Sequence, residues 1–237
     1  MITTVLFDKD GTLFDFQKSW ANWSARFLLE LCRGDVAKAA EMSDAVGYDL
    51  DARAFCDDSV LVSGTPGDIA EHLLPFVPGM SPSGLIARMN VMAADAPQVE
   101  ATPLQPLMLA LKARGLRLGV ITNDNILPTK SHLRAVGIAH HMDRIIGSDS
   151  GFGEKPNCGQ IMAFWDLCGG SPAETVMVGD SVHDLMAARA AGCVGVGVMT
   201  GVSPRSMLAP LADAVLNDVS ELPDFLDAME SPGVSAA

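Results

Sequence analysis

The feature that most constrains the fold of this chain is the alternation of short apolar strands with helices after residue 104. Apolar runs rich in β-branched residues predict strands at 116–122, 143–147, 175–178, 194–198 and 214–216. The intervening patterns predict helices at 104–114, 129–136, 159–168, 182–191 and 220–229. One more buried strand is predicted at 2–7. Such alternation predicts an α/β fold, a Rossmann-like parallel sheet with helices on both faces.

Residues 16–96 carry a different, helical pattern, in which no strand is predicted with certainty. Helices are predicted at 16–32, 36–46, 65–74 and 81–94, and residues 48–64 are predicted to be irregular. Pro97 and Pro103 mark a linker that leads back to the alternating part. We therefore predict a core formed by residues 1–15 and 97–237, with an inserted helical cap at 16–96. The last seven residues, 231–237, are expected to form a frayed tail.

Composition narrows the class of protein. The net charge of −13 argues against nonspecific binding to nucleic acid or to anionic lipid, although a cleft can still bind a small anion. Five scattered cysteines without a Cys-x-x-Cys pair indicate reduced thiols. No uninterrupted apolar run reaches the ~18 residues of a membrane span, and the strand at 2–7 is expected to leave no room for a signal peptide. We expect a cytoplasmic protein, either a monomer or a homodimer.

Two carboxylates end the first predicted strand. Asp8 and Asp10 are two positions apart, so they are expected to point to the same side. Adjacent carboxylates repel each other unless one is protonated or a cation lies between them. Ligands of open α/β sheets bind at the carboxyl ends of the strands, which is where these residues stand. The alternative is an ordinary turn, because Asp10-Gly11-Thr12 is also good turn chemistry.

Polar groups follow three later strands in the same way. Thr122 and Asn123 precede a helix and could bind an anion through a hydroxyl and backbone N–H groups, or could simply cap that helix. Lys155 could neutralise a phosphoryl oxygen, or could lie in solvent like most lysines. Asp180 would be a hard oxygen ligand for Mg²⁺, and Asp184 could orient Lys155, although either could be a helix cap. Coincidence at four strand ends is much less probable than at one.

These four segments resemble the motifs of the haloacid dehalogenase-like hydrolase superfamily, and within it the phosphoglycolate phosphatase-type phosphatases. Residues 8–12 fit the first motif, Asp-x-Asp-Gly-Thr, and residues 122–123 fit the second. Lys155-Pro156 fits the third, and Gly179-Asp180-Ser181 with Asp184 fits the fourth. The resemblance covers the core strongly, but it covers residues 16–96 only by position and helical character. In this family the inserted helical block is a cap that closes over the site.

The resemblance implies a phosphatase that acts on a small phosphorylated metabolite, either phosphoglycolate-like or a sugar phosphate. Asp8 would be the nucleophile that forms an aspartyl-phosphate. Asp10 would protonate the leaving alcohol and then deprotonate the hydrolytic water. Mg²⁺ would be held by Asp8, the backbone carbonyl of Asp10 and Asp180. The presence of Asp10 favours phosphoryl transfer, since the dehalogenases of the superfamily lack it.

The remaining motif residues are implied to serve the phosphoryl group. Thr122 and the Asn123 amide would bind it, with Lys155 opposite, and Thr122 and Lys155 would thereby take part in catalysis. Gly11 and Asp184 would be supporting residues. In this family the cap also sets substrate choice. Five residues of the block here could each meet a substrate carboxylate or a second phosphate, but each is expected to be a solvated surface charge: Lys18, Arg26, Arg53, Arg88 and His72.

Two further expectations concern side-chain direction. Lys9 stands where the family motif often has an apolar residue, and its side chain is expected to point away from Asp8 and Asp10, with a polar contact to the cap possible. His183 is expected to face solvent.

Two alternative functions remain open. One is a phosphosugar mutase with the same nucleophile, which would return the phosphoryl group to a sugar hydroxyl. The other is a catalytically idle binding module that keeps the fold, although the complete set of motif residues counts against it.

Overall fold

The computed structural model describes residues 1–56 and 58–230, so the tail expected at 231–237 lies outside the described residues. The strands are β1 Thr4–Phe7, β2 Tyr48–Asp49, β3 Ala54–Phe55, β4 Arg117–Ile121, β5 Arg144–Ile146, β6 Thr175–Gly179, β7 Val194–Val198 and β8 Ala214–Leu216. The helices are α1 Phe16–Leu31, α2 Val36–Ala45, α3 Val60–Ser63, α4 Pro66–Leu73, α5 Pro82–Ala94, α6 Leu104–Ala113, α7 Ile126–Ala135, α8 Gly159–Cys168, α9 Val182–Ala191, α10 Arg205–Leu208 and α11 Leu222–Glu230. Short 3₁₀ turns lie at Leu74–Phe76, Ala139–His141, Ser148–Ser150, Pro172–Glu174 and Val219–Glu221.

The core is a six-stranded parallel sheet in the order β5-β4-β1-β6-β7-β8. Strand β1 lies inside the sheet, and its residue Leu6 pairs with Gly119 of β4 and Met177 of β6. Alternate residues of β1 enter different hydrophobic clusters: Val5 and Phe7 join one, and Leu6 joins the other. Because strand residues alternate between faces, the sheet buries apolar surface on both sides. The predicted α/β fold with helices on both faces is confirmed.

The predicted elements of the core agree closely with the observed ones. The largest difference at a helix start is α7, which begins at Ile126 rather than at residue 129. Its first turn is fixed by contacts from a distant loop, since the carboxylate of Asp149 accepts a hydrogen bond from the Ile126 N–H at 3.0 Å. A contact of this kind leaves no local sequence signal.

The helical block at 16–96 has a hydrophobic cluster of its own. That cluster includes Trp23, Phe27 and Tyr48, and all its members lie between residues 20 and 96. The clusters of the sheet draw on residues up to 14 and from 104 onward, also counting the partly buried members. The predicted boundary between cap and core falls between these sets and stays a prediction. Helix α5 of the block packs against α7 of the core.

The prediction that residues 48–64 are irregular is wrong in part. Tyr48 pairs with Phe55 and Asp49 with Ala54, so β2 and β3 form a small antiparallel hairpin. Helix α3 then follows, capped by the Ser59 hydroxyl. Strands of two residues are too short to show a period in the sequence, which explains why the pattern did not predict them.

Helix α4 begins where the sequence predicts. The Thr65 hydroxyl accepts a hydrogen bond from the Asp68 N–H at 3.2 Å, and the Asp68 carboxylate accepts one from the Thr65 N–H at 2.7 Å. Pro66 occupies the first helical turn, where a missing N–H costs nothing. This capping box fixes the start of α4 beside the site described below.

Two further observations concern the cysteines and the lengths of the helices. The five cysteines are all free, as predicted. Within the described residues, every helix is too short or too polar to cross a membrane.

Candidate active site

The central strands of the sheet bring the predicted polar groups together. Strand β1 lies between β4 and β6 in the sheet, and each of the three is followed by a site residue at its carboxyl end: Asp8 after β1, Thr122 after β4 and Asp180 after β6. A cavity of about 120 Å³ opens at this edge. On the core side its walls include Asp8, Asp10, Thr122, Lys155, Asp180 and His183. Since pockets for drug-sized ligands measure about 300–1,000 Å³, this cavity suits a much smaller molecule.

Lys155 joins two carboxylates at the centre of the site. Its Nζ lies 2.5 Å from Asp8 Oδ1 and 2.6 Å from Asp184 Oδ1, and all three side chains are at least nine-tenths buried. Burial alone would lower the pKa of Lys155, but the charges of Asp184 and Asp8 outweigh it and raise the pKa above its ordinary value. Lys155 therefore stays cationic at neutral pH.

Asn123 holds the backbone of Lys155 in place. Its side-chain amide donates to the Lys155 carbonyl at 3.0 Å, and its Oδ1 accepts from the Lys155 N–H at 2.8 Å. The sequence prediction used the backbone amide of Asn123 for phosphate binding. The side chain thus has a positioning contact that the motif alone did not reveal.

Asp8, Asp180 and Asp184 form a compact carboxylate cluster. Each offers one oxygen, and these oxygens all lie within 4.8 Å of one another. Burial raises the pKa of Asp8 to about 7, although the charge of Lys155 opposes the shift. Burial, together with the charges of Asp184 and Asp8, raises the pKa of Asp180 well above its usual range. Three buried, mutually repelling hard-oxygen donors fit a divalent cation such as Mg²⁺, which would relieve that repulsion.

The backbone beside the cluster is kept free of side chains. A Cβ atom added at Gly11 or at Gly201 would overlap the carboxyl group of Asp180. Gly11 also has a φ of 80°, a conformation that favours glycine. The Thr12 hydroxyl donates to Asp180 Oδ1 at 3.3 Å. The turn after β1 therefore positions Asp180 as well as Asp8, which explains the Gly11-Thr12 part of the motif.

Asp184 has two structural contacts besides its place in the cluster. Its Oδ2 accepts hydrogen bonds from the Ser181 N–H at 3.0 Å and from the Ser181 hydroxyl at 2.6 Å. The Asp184 N–H in turn donates to the Ser181 hydroxyl, so the pair forms the capping box of α9. Asp184 therefore contacts Lys155, as expected, and it also caps helix α9, which was the alternative role.

Thr122 is buried at the end of β4 and lines the cavity. Its hydroxyl accepts a hydrogen bond from the Asp124 N–H at 3.1 Å. Its own hydroxyl proton is thus free to point elsewhere, as donation to a phosphoryl oxygen requires. The role of Thr122 in phosphate binding stays a prediction.

The expectation that Lys9 points away from Asp10 is wrong. Lys9 is fully buried, and its Nζ lies 2.9 Å from Asp10 Oδ2 and 2.7 Å from Asp124 Oδ2. Strand β1 ends at Phe7, so the alternation of side chains along a strand no longer applies at Lys9. The contact with the cap does occur, because the ammonium lies 5.4 Å from the ring centre of Trp20.

Asp10 is held through both of its oxygens. Trp20 Nε1 donates to Oδ1 at 2.7 Å, and Lys9 forms an ion pair with Oδ2. Trp20 belongs to α1 of the predicted cap, so one hydrogen bond to Asp10 comes from across the cleft. The sequence placed Trp20 only in an apolar helical stripe, and an indole N–H gives no signal of its partner.

His132 completes this network and was not predicted at all. It is buried, its Nδ1 lies 3.1 Å from Lys9 Nζ, and its Nε2 lies 2.8 Å from the Ala93 carbonyl. Because the ammonium can only donate, Nδ1 accepts and Nε2 carries the proton that goes to Ala93. Burial and the charge of Lys9 lower the pKa of His132 to about 4. His132 is therefore neutral at neutral pH.

Two expectations about the cavity walls have opposite outcomes. His183 is half-buried and lines the cavity, contrary to the expectation that it faces solvent. The five cap residues expected to be surface charges lie outside the lining that the structure describes: Lys18, Arg26, Arg53, His72 and Arg88.

Known proteins resemble this chain in sequence. A sequence model of the haloacid dehalogenase-like hydrolases matches residues 2–192. A phosphoglycolate phosphatase of Rhodospirillum rubrum is 30% identical over 230 residues, covering 95% of this chain and 91% of the relative. A phosphoglycolate phosphatase of Neisseria meningitidis is 33% identical over 144 residues, 60% of this chain. The chain spans 59% of the length of that second relative.

A solved structure resembles the fold. CbbY from Rhodobacter sphaeroides, solved in complex with phosphate, superposes with a TM-score of 0.68 and 21% sequence identity. The superposition covers 94% of this chain and 96% of that chain. The likeness therefore extends over both the sheet and the inserted helical block.

Proposed function

This chain belongs to the haloacid dehalogenase-like hydrolase family, and on that premise we propose that it is a Mg²⁺-dependent phosphatase of a small phosphomonoester. The observation that carries the proposal is the ion pair of buried Asp8 with Lys155, set beside Asp180 and Asp184 at the carboxyl edge of the sheet. The names of the relatives, both phosphoglycolate phosphatases, support the same reaction class. The predicted substrate classes are phosphoglycolate-like molecules and sugar phosphates.

Asp8 is the proposed nucleophile, which attacks phosphorus and forms an aspartyl-phosphate. Its ionised form is the reactive one, and burial works against that form by raising the pKa of Asp8 to about 7. The charge of Lys155, 2.5 Å away, favours the ionised form. Without Lys155 the pKa of Asp8 would rise further, so this ion pair increases the ionised fraction of the nucleophile.

Asp10 is the proposed general acid and base. It lines the same cavity as Asp8, and its carboxylate is fixed by Trp20 and Lys9. In the first half-reaction it gives a proton to the leaving alcohol, and in the second it takes one from the attacking water. A carboxylate held at both oxygens enters each step already oriented.

Thr122, the Asn123 amide and Lys155 are proposed to bind the phosphoryl oxygens. Mg²⁺ is proposed to be held by Asp8, Asp180 and either Asp184 or the Asp10 carbonyl. Asp184 was not among the ligands predicted from the sequence, and it is added because its carboxylate belongs to the compact cluster. A bound Mg²⁺ would supply positive charge that stabilises the equatorial oxygens of the phosphoryl group during its transfer. Gly11 supports this arrangement because a side chain there would overlap Asp180.

The test is a panel of phosphomonoesters assayed for release of inorganic phosphate, with and without Mg²⁺. It includes 2-phosphoglycolate, sugar phosphates, nucleoside monophosphates and simple alkyl phosphates. The proposal expects Mg²⁺-dependent release from at least one ester. Asp8→Asn is expected to lower that rate more than about a thousandfold, because it removes the nucleophile. The matched control is Asp166→Asn, at an exposed position of α8 outside the cavity lining, which is expected to change nothing.

Two outcomes would replace the proposal. Transfer of the phosphoryl group back to a sugar, with little free phosphate, would identify the mutase alternative. Ligand binding without any reaction that Asp8→Asn abolishes would identify the idle binding module. We also propose a cytoplasmic location, supported by the five free cysteines.

A further inference from the structure

The wall that the cap presents to the candidate nucleophile is apolar. Six residues of this wall share that character: Phe16, Trp20, Leu61, Val62, Pro66 and Ile69. Ser63 is the one cap residue with a side-chain hydroxyl in the described lining, and it is exposed. The wall lies opposite Asp8 and Lys155, so it faces whatever the phosphoryl group is attached to.

The cationic residues of the cap lie elsewhere. Within the described part of the cap, Lys18, Arg26, Arg33, Lys38, Arg53 and Arg88 are all outside the lining of this cavity. Three of them have partners on the outside: Lys18 pairs with Asp15, Arg53 with Asn22 and Arg88 with Glu30. The one cap residue outside the description, at position 57, is an aspartate and adds no cation.

The core side of the cavity is dominated by carboxylates. Its titratable lining comprises the carboxylates of Asp8, Asp10, Asp124 and Asp180, the ammonium of Lys155 and the half-buried imidazole of His183. Lys155 is already shared between Asp8 and Asp184 and faces the phosphoryl position. A carboxylate on the alcohol side would lose its hydration next to apolar carbon and close to Asp10, where the described part of the cap offers no cation in exchange. Several hydroxyl groups there would find one side-chain hydroxyl, that of Ser63, on the described cap wall.

We propose that the alcohol part of the substrate is small, uncharged and largely apolar, and that Leu61, Val62 and Ile69 select it. This inference rests on the proposed phosphatase function, but it replaces the two predicted substrate classes, phosphoglycolate-like molecules and sugar phosphates, with small alkyl phosphates. It departs from the substrate for which the relatives are named, because 2-phosphoglycolate carries a carboxylate where this wall is mainly carbon and has no cation among its described residues.

The decisive experiment compares two esters of almost the same shape. In isobutyl phosphate, a CH(CH₃)₂ group replaces the carboxylate of 2-phosphoglycolate. With Mg²⁺ present, the kcat/KM for isobutyl phosphate is expected to be at least about tenfold higher, since the charged ester leaves an uncompensated anion in the site. Equal or better hydrolysis of 2-phosphoglycolate would overturn the inference and leave the phosphatase function intact. Failure of every ester in the wider panel would overturn the proposed function, and this inference with it.

A gain-of-function variant tests the wall itself. Val62 lines the cavity but lies outside the hydrophobic cluster of the cap, so Val62→Lys should fold; circular dichroism checks this. The new cation is expected to shift the ratio of kcat/KM values toward 2-phosphoglycolate by about tenfold or more. Two control variants should leave the ratio of the two kcat/KM values as in wild type. Val62→Leu keeps the wall apolar, and Val36→Lys adds the same charge at an exposed site outside the cavity. An unchanged ratio in folded Val62→Lys would refute the assigned role of this wall.

Discussion

Replacing Lys9 with methionine is expected to destabilise the protein by about 3–5 kcal/mol, the cost of breaking a buried ion pair from one side. Lys9 Nζ is fully buried, and Asp10 and Asp124, its partners at 2.9 and 2.7 Å, are each less than one fifth exposed. Methionine keeps most of the packed stem but removes the charge, which leaves two carboxylates facing each other. For a chain of 150–250 residues each kcal/mol shifts Tm by about 2–4 °C, so the expected fall is about 6–20 °C.

Thermal unfolding monitored by circular dichroism at pH 7.5 measures this fall. Lys112→Met is the matched control, because Lys112 lies 2.9 Å from Asp143 with both side chains about one third exposed. That surface pair is expected to contribute less than about 1 kcal/mol. The double variant Lys9→Met/Asp124→Asn should recover at least about 1 kcal/mol, since it removes one of the stranded charges. A Lys9→Met loss no larger than that of Lys112→Met would refute the conclusion that burial sets the strength of this network.

Two further predictions concern the same network. The folded pKa of His132, about 4, lies below its unfolded value of 6.5, so the unfolded chain binds the proton more readily and stability falls as pH drops from about 6.5 to 4. Between pH 7 and pH 4, the difference in unfolding free energy between wild type and His132→Gln should therefore change by about 3 kcal/mol, to the disadvantage of wild type. A difference that stays constant with pH would contradict the buried neutral imidazole. Trp20→Phe keeps the ring but removes the hydrogen bond to Asp10, so kcat should fall about tenfold with little change in KM. The control is Trp23→Phe, because the Trp23 indole donates to the Met92 carbonyl and not to Asp10. Equal kcat values for the two variants would show that the Trp20 hydrogen bond does not position Asp10.

The sheet and the convergence of its polar ends could be predicted because both depend on local pattern. An apolar strand followed by a carboxylate or hydroxyl is visible in a few residues, and parallel strands necessarily place such residues at one edge. Asp8, Thr122 and Asp180 could therefore be identified before their distances were known. The contact of Lys155 with Asp184 could be expected for the same reason, since both come after the carboxyl ends of strands in one parallel sheet.

The network behind Asp10 could not be predicted, because its partners are far apart in the chain. Lys9 and His132 are separated by 123 positions, and Trp20 reaches Asp10 from the other side of the cleft. A strand rule extended two residues past Phe7 gave Lys9 the wrong direction. For Trp20, the helical period correctly predicted that the side chain lies on the buried side of α1. A period in hydrophobicity does not predict which group the indole N–H, the single polar atom of the ring, will contact.

The separation of the two hydrophobic clusters has a consequence for how new specificities could arise. The side chains proposed to bind or attack the phosphoryl group all come from the segments that follow strands of the core sheet. The cap contributes the opposing apolar surface and the indole of Trp20. Its interior shares no residue with the clusters that stabilise the sheet. If the predicted boundary holds, the helical insert is exchangeable: grafting another between residues 15 and 97 is expected to change which alcohol is accepted, provided that the graft keeps an N–H donor for Asp10 and a carbonyl acceptor for His132.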